Sequence, residues 1–259
     1  MNTKKVFLSI LLLMSSAIGS CAFGNDGVNT QIIAHRGFWD KLGSAQNSVS
    51  SLRNAIAVGA YGSELDVHLT RDGYVVLSHD DKYQGVNIHG ATYAELSALR
   101  LVNGEPLPSL QQYIEVVKTQ NRTKLIVEIK PHHSPEADVR VANAVVNVIN
   151  ESGIADLVDY ISFSADICKE LIRLNPQHRV GYLAGNKSPQ ELKAEGFWGL
   201  NYSAGTLRDH PTWLKEAKEL GLTTMVWTVN SLEEMQYFLQ QGVDYITTDN
   251  PELLKGLLN

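Results

Sequence analysis

The feature that most restricts how this chain can fold is a strict alternation of strand-length apolar runs with helical stretches. The apolar runs fall at residues 31–35, 63–68, 124–130, 160–163, 179–183, 197–202, 223–229 and 244–248. Helical stretches lie between or after them, at 47–59, 109–119, 136–151, 166–174, 188–194, 208–220, 232–240 and 251–258. Ser109, Ser188 and Asn250 stand where N-caps are wanted, the last two followed by Pro at the first helical position. Gly153, Gly221 and Gly242 follow helical runs, where a left-handed closing residue is favoured. Such alternation specifies a parallel sheet with crossover helices, and eight units favour a closed (β/α)₈ TIM barrel over an open doubly wound sheet.

One further strand-like run, 74–79, breaks the alternation. Only residues 69–73 separate it from the second strand, and a parallel crossover needs about a dozen residues. The run must therefore return antiparallel, as a hairpin turning at Arg71-Asp72-Gly73. With the turn there, paired residue numbers sum to about 144 or 145, which sets His79 beside Leu65 or Asp66.

The N-terminal twenty residues differ from the rest. Lys4 and Lys5 precede an apolar run from Val6 to Met14 and then small residues, the pattern of a secretory signal peptide. That run is too short for a membrane-spanning helix. Ile18-Gly19-Ser20-Cys21 resembles the lipobox of bacterial lipoproteins, so residues 1–20 are expected to be a signal of lipoprotein type. Cys21 then becomes a lipid anchor, residues 21–30 a tether, and 31–259 a single barrel domain. The expected location is exported, periplasmic or on the outer membrane; cleavage after Ala22 with soluble release is the alternative. The other cysteine, Cys168, falls among apolar helical neighbours and is expected to be a small buried hydrophobe. Loss of Lys4 and Lys5 leaves 20 basic against 28 acidic residues, a charge of −8. Such a surface disfavours nucleic acid and anionic membranes; it leaves room for a phosphate-containing substrate only where a metal or a basic cluster meets the charge locally.

Side chains alternate along a strand. In Glu64-Leu65-Asp66-Val67 the two apolar residues belong outside, against helices, which leaves both carboxylates pointing inward near the strand's C-terminal end, where barrel active sites lie. Ile126-Val127-Glu128-Ile129-Lys130 repeats the pattern with Glu128 and Lys130 inward. In the first strand, Ile33 and His35 share the inward face. Three converging carboxylates repel one another unless a cation compensates, and a hard divalent ion with oxygen ligands, Mg²⁺ or Ca²⁺, meets that need. Pairing of the acids with Arg36 and Lys130 alone is the competing reading. Two imidazoles, His35 and His79, can work as base and acid near neutral pH.

His35-Arg36-Gly37, Gln46-Asn47-Ser48, Gly62 to Val67, Thr70-Arg71-Asp72-Gly73, His79-Asp80, Leu110, Glu128-Ile129-Lys130, Val226 to Asn230 and Thr248-Asp249-Asn250-Pro251 together resemble the glycerophosphodiester phosphodiesterase family in identity, order and spacing. The resemblance spans residues 31–256. It implies a TIM barrel that hydrolyses glycerophosphodiesters to glycerol 3-phosphate and an alcohol. It further implies that Glu64, Asp66 and Glu128 bind one divalent cation, and that His35 and His79 form the acid–base pair. Arg36 and Lys130 are implied to stabilise charge on the phosphoryl oxygens. The chain departs from the family at Gln46, where Glu is common; the amide keeps a neutral oxygen but loses a charge, which bears on metal affinity or on how glycerol is held.

Phe163 and Trp227, near strand C-terminal ends, are expected as an apolar substrate wall or as plain barrel core. His68 is expected at the rim, and His89, His132 and His133 in loops, the last two near enough to Lys130 to touch substrate. Two rival functions keep the barrel: a lipid phosphodiesterase of phospholipase C or sphingomyelinase D type, and a non-catalytic binding lipoprotein. The first lacks an aromatic-rich or basic amphipathic segment to grip a bilayer, and the second has no use for an acid–base pair.

Overall fold

The computed structural model of the chain describes residues 30–259; the expected signal, lipobox and tether lie outside these residues except for Thr30. Eleven strands follow in chain order: β1 Gln31–Ala34, β2 Gly62–Leu69, β3 Val75–Leu77, β4 Lys82–Tyr83, β5 Val86–Asn87, β6 Lys124–Ile129, β7 Val158–Ser162, β8 Val180–Tyr182, β9 Gly199–Ser203, β10 Thr223–Trp227 and β11 Tyr245–Thr248. Eight of them, β1, β2 and β6–β11, pair in parallel, and β1 pairs with both β11 and β2, which closes the barrel. No helix among the described residues is long and apolar enough to cross a membrane.

The inside–outside parity follows the sequence. Leu65, Val67, Val127 and Ile129 are fully buried in the large outer core between strands and helices. Ile33, Ile126, Ile161 and Leu183 pack together in the barrel interior, with Ile126 paired in register with Glu64 and Ile161 with Glu128, so apolar side chains stand beside the acids. Helix starts are fixed by side-chain caps. Ser134 accepts from the Ala137 N–H ahead of Pro135–Ser152, and Ser188 and Glu191 form a capping box on Pro189–Ala194. The expected helix at 208–220 is instead two short ones, Ala204–Asp209 and Trp213–Glu219. Pro211 lies in the break, where it can neither donate a backbone hydrogen bond nor let the preceding turn continue. Asn250 holds the N-cap position of Pro251–Leu258 without a side-chain cap bond; its amide donates instead to Asn230 O at 3.2 Å.

The hairpin strand β3 pairs antiparallel with β2 in the register Val67↔Leu77, His68↔Val76 and Leu69↔Val75, each summing to 144 as expected. Beyond it the chain makes an excursion with no counterpart among the expected elements. It comprises the β4–β5 hairpin, a 3₁₀ turn at Ile88–Gly90 and a helix at Tyr93–Ser97. Ala45, Val76, Ile88, Ala91, Leu96, Leu101 and Leu107 form its own small core beside the barrel mouth.

Candidate active site

The acids converge because two neighbouring parallel strands present them in register. Asp66 of β2 is paired with Glu128 of β6, and Glu64 lies two residues earlier on the same inward face. All three are buried, at 2 %, 1 % and 8 % exposure for Glu64, Asp66 and Glu128. One oxygen from each can be chosen so that all three lie within 4.8 Å of one another. Lys130, one residue past β6, reaches back with Nζ 2.7 Å from Asp66 Oδ1 and 2.5 Å from Glu128 Oε1. Asn47 brackets Asp66 from the other side, donating Nδ2 to Oδ2 at 2.8 Å and accepting the Asp66 N–H on Oδ1 at 3.1 Å.

Glu64 has no such basic partner. Its Oε2 accepts the Arg36 backbone N–H at 2.6 Å, and its Oε1 is buried without any hydrogen bond. The turn that supplies this N–H is tight: Arg36 and Gly37 have φ of 54° and 75°, and a Cβ on residue 37 would lie 2.3 Å from Ser51 Oγ. Only glycine fits there, and Arg36 itself is held in the sparsely populated left-handed region. Burial and the Asp66 and Glu128 charges push the Glu64 carboxyl well above the usual range. Burial raises Glu128 to about 7 against the pull of Lys130. For Asp66 burial also acts upward, but Lys130, Asn47 and Arg36 outweigh it and hold the carboxyl low. The reciprocal attraction of Asp66 and Glu128 overcomes burial and raises Lys130.

A cavity of about 120 Å³ opens over these groups, with His35, Arg36, His79 and Lys130 among its lining residues. His35 follows β1, its N–H bonded to Thr248 O and its Nδ1 2.8 Å from Asp249 Oδ1. His79 follows β3, carried there by the Ser78 N–H bond to Asp66 O at 3.1 Å; its Nδ1 lies 2.8 Å from Asp80 Oδ1. Burial and the Lys130 charge lower the His79 pKa. Elsewhere in the lining Phe163 and Trp227 meet edge to face at 5.5 Å, Ile161 and Leu183 add apolar surface, and Trp227 Nε1 donates to Asn201 O.

Gln46 is not among the lining residues: it is exposed and its Oε1 accepts from Arg36 Nη1 at 2.7 Å, so it steadies the guanidinium. His68 does not sit at the rim; it is 2 % exposed, roofed by the excursion, and burial drives its pKa down to about 3. His132 lies outside the cavity lining, with Nδ1 against Lys130 O and Nε2 accepting the Leu69 N–H. Asp249 has a part that reading the sequence did not assign. Besides His35 it accepts from Trp39 Nε1 at 3.0 Å and Asn230 Nδ2 at 2.6 Å. The strand-end position of the Thr248-Asp249 pair was the available signal.

A closed barrel with buried acids, a lysine and two histidines at the C-terminal ends of its strands defines a TIM-barrel enzyme. The profile of the glycerophosphoryl diester phosphodiesterase family matches residues 35–253, and the chain belongs to that family of phosphoric diester hydrolases. A glycerophosphodiester phosphodiesterase of Caldanaerobacter subterraneus subsp. tengcongensis is 26 % identical over 250 residues, covering 89 % of this chain and 98 % of the relative. The crystal structure of a glycerophosphodiester phosphodiesterase from Parabacteroides distasonis is 48 % identical. It superimposes with a TM-score of 0.87 over 89 % of this chain and 97 % of that one. An Oleispira antarctica phosphodiesterase, solved with the product sn-glycerol-3-phosphate, shares the fold at 24 % identity. Its TM-score is 0.77 over 87 % of this chain and 95 % of that one.

Proposed function

We propose that this chain hydrolyses glycerophosphodiesters to glycerol 3-phosphate and an alcohol, with His35 and His79 as the acid–base pair and Glu64, Asp66 and Glu128 as ligands of one Mg²⁺ or Ca²⁺. The observation that carries the reading is the buried, unpartnered Glu64 Oε1, in an all-oxygen donor set whose three carboxylates are only partly neutralised by Lys130 and Arg36. A hard divalent cation fits that set in charge and ligand type. When bound, it neutralises the acids and polarises a phosphoryl oxygen. The kinship with an enzyme solved in complex with glycerol 3-phosphate supports the product.

In this reading one histidine takes the proton of the glycerol 2-hydroxyl as its oxygen attacks phosphorus, and the other gives a proton to the departing alkoxide. The roles reverse when water opens the cyclic phosphate. Asp249 and Asp80 hold the two rings by Nδ1, which leaves each Nε2 as the nitrogen available to substrate in the cavity both rings line. Arg36, steadied by Gln46, and Lys130 face the added negative charge. The Phe163–Trp227 corner takes an apolar part of the substrate and excludes water. The test is release of choline and glycerol 3-phosphate from glycerophosphocholine. EDTA should abolish it and Mg²⁺ or Ca²⁺ should restore it; full turnover in rigorously metal-free protein removes the metal from the mechanism.

We further propose export and lipidation at Cys21, supported by the apolar run and lipobox-like tetrapeptide before it. In a bacterial host the mature protein should partition into detergent, and Cys21→Ser should release it or block processing. A soluble wild-type chain beginning at Phe23 is the contrary result.

A further inference from the structure

Outside the catalytic cavity, four imidazoles from three separate segments meet beneath the excursion: His68 at the end of β2, His89 in the 3₁₀ turn, and His132 and His133 after β6. Ring centroids lie 4.2 Å apart for His89 and His132, 5.2 Å for His68 and His89, 5.0 Å for His89 and His133, and 6.1 Å for His68 and His132. Imidazoles bound to one tetrahedral ion through bonds of about 2.0–2.1 Å have centroids about 5 Å apart. The four separations, 4.2 to 6.1 Å, scatter around that value.

The unusual member is His68. It is 2 % exposed, yet neither Nδ1 nor Nε2 has a hydrogen-bond partner, and His89 Nδ1 is likewise buried and unpartnered. A neutral imidazole carries one donor and one acceptor, and burying both unmet is uncommon enough to ask what they are for. His132 is oriented as a metal ligand's ring is: Nδ1 lies 2.9 Å from Lys130 O, which favours the tautomer with a lone pair on Nε2. That Nε2 is engaged only by a long hydrogen bond from Leu69 N–H at 3.4 Å. The nitrogens do not yet converge, since among the described residues only the three carboxylates have donor atoms all within 4.8 Å. Closing the cluster takes loss of the long Leu69 N–H bond and shifts of the His89 and His132 rings, each of which also has a backbone contact, His89 with Leu69 and His132 with Lys130 O.

We propose that His68, His89 and His132 form a second metal site, specific for a late first-row divalent ion such as Zn²⁺, with His133 or solvent as the fourth ligand. Imidazole nitrogen selects such ions over Mg²⁺ and Ca²⁺, so this site and the carboxylate site take different metals. Its ligands would tie the excursion to the end of β2 and to the loop that follows Lys130, giving the ion a structural part in holding the cavity wall.

Tag-free protein stripped of metal and then saturated with Mg²⁺ is titrated with Zn²⁺ by calorimetry. One equivalent should bind with micromolar or tighter affinity, and His89→Ala and His132→Gln should each weaken it at least tenfold. Glu128→Gln should bind Zn²⁺ as the wild type does. Co²⁺ added to the wild type should give the visible d–d bands of a four-coordinate nitrogen site, a measurement that needs no variant to fold. The proposal fails if Mg²⁺ competes the Zn²⁺ away, if both histidine variants bind it unchanged, or if the wild type binds none, as expected were the cluster to hold only water.

Discussion

Asp249→Asn is the most informative single change, because it alters one atom type and leaves volume and packing in place. The carboxylate accepts on both oxygens: Oδ1 from His35 Nδ1 and Trp39 Nε1, Oδ2 from Asn230 Nδ2. Burial alone would raise its pKa, but the His35, Trp39 and Asn230 interactions hold it below the ordinary value, so Asp249 is ionised at neutral pH. An amide has one acceptor and one donor end. With its oxygen toward His35, the NH₂ faces the Asn230 amide donor across 2.6 Å. Flipped, the NH₂ faces the Trp39 donor and can be accepted by His35 only if Nδ1 carries no proton, which puts the proton on the nitrogen that faces substrate. In serine-protease triads the same exchange enforces the wrong tautomer and lowers kcat by about 10⁴-fold. Asp249 is about one-fifth exposed, so solvent can relieve part of the conflict, and a loss of roughly 10²- to 10³-fold in kcat, about 3–4 kcal/mol in barrier, is expected. Steady-state kinetics on glycerophosphocholine should show the loss in kcat, with KM and the Mg²⁺ requirement little changed and Asp249→Glu partly active. A kcat within threefold of wild type, or a loss confined to KM, would refute the orienting role.

His35→Ala and His79→Ala should each lower kcat by roughly 10²- to 10⁴-fold, and the double variant by less than the product of the two. A p-nitrophenyl phosphodiester of glycerol, whose leaving group departs without a proton, should rescue only the variant lacking the acid; equal rescue of both would show that the roles are not divided. The lowered His79 pKa places one limb of the kcat/KM profile below the ordinary histidine value of about 6.5. If His79 is the base, activity is lost as pH falls through that limb; if the acid, it declines as pH rises through it. The limb should vanish in His79→Ala, and its persistence there would assign it to another group.

Where each expectation succeeded or failed has a physical reason. Glu64, Asp66 and Glu128 were legible because strand parity is local: an apolar residue on either side of an acid fixes which face the acid takes. The register of β3 was legible because a five-residue connection permits only one kind of pairing. His68 shows the limit. Its parity with Asp66 is right, but its burial depends on the excursion that roofs it, whose two-residue strands and single-turn helices leave no periodic signal. The Asp249 hub was out of reach for a related reason. It joins β1, the loop after it and the ends of β10 and β11, contacts more than 200 residues apart for His35 and Trp39. Spacing cannot show which carboxylate meets which ring.

The topology also bears on the substrate, given an anchor at Cys21. All eight barrel strands run the same way, so β1 begins at the end opposite the cavity, and Gln31 lies at the floor of the barrel. Ten residue steps separate Cys21 from Gln31, a reach of about 35 Å at full extension. To face its own membrane the cavity would have to invert, which requires the tether to run from the floor, around the outer helices and up to the mouth. Six residues of β6 already span about 20 Å along a strand, before the loops and the helical layer, about 10 Å thick, are added. That path would take most of the tether's reach, so an anchor at Cys21 would favour a mouth turned away from its own leaflet. With that orientation a phosphodiester still carrying acyl chains in the leaflet would be hard to reach, whereas a water-soluble deacylated glycerophosphodiester would arrive by diffusion. If Cys21 is the anchor, the barrel's polarity would thus argue against the lipid-phosphodiesterase reading on geometric grounds, independently of the residues that line the cavity.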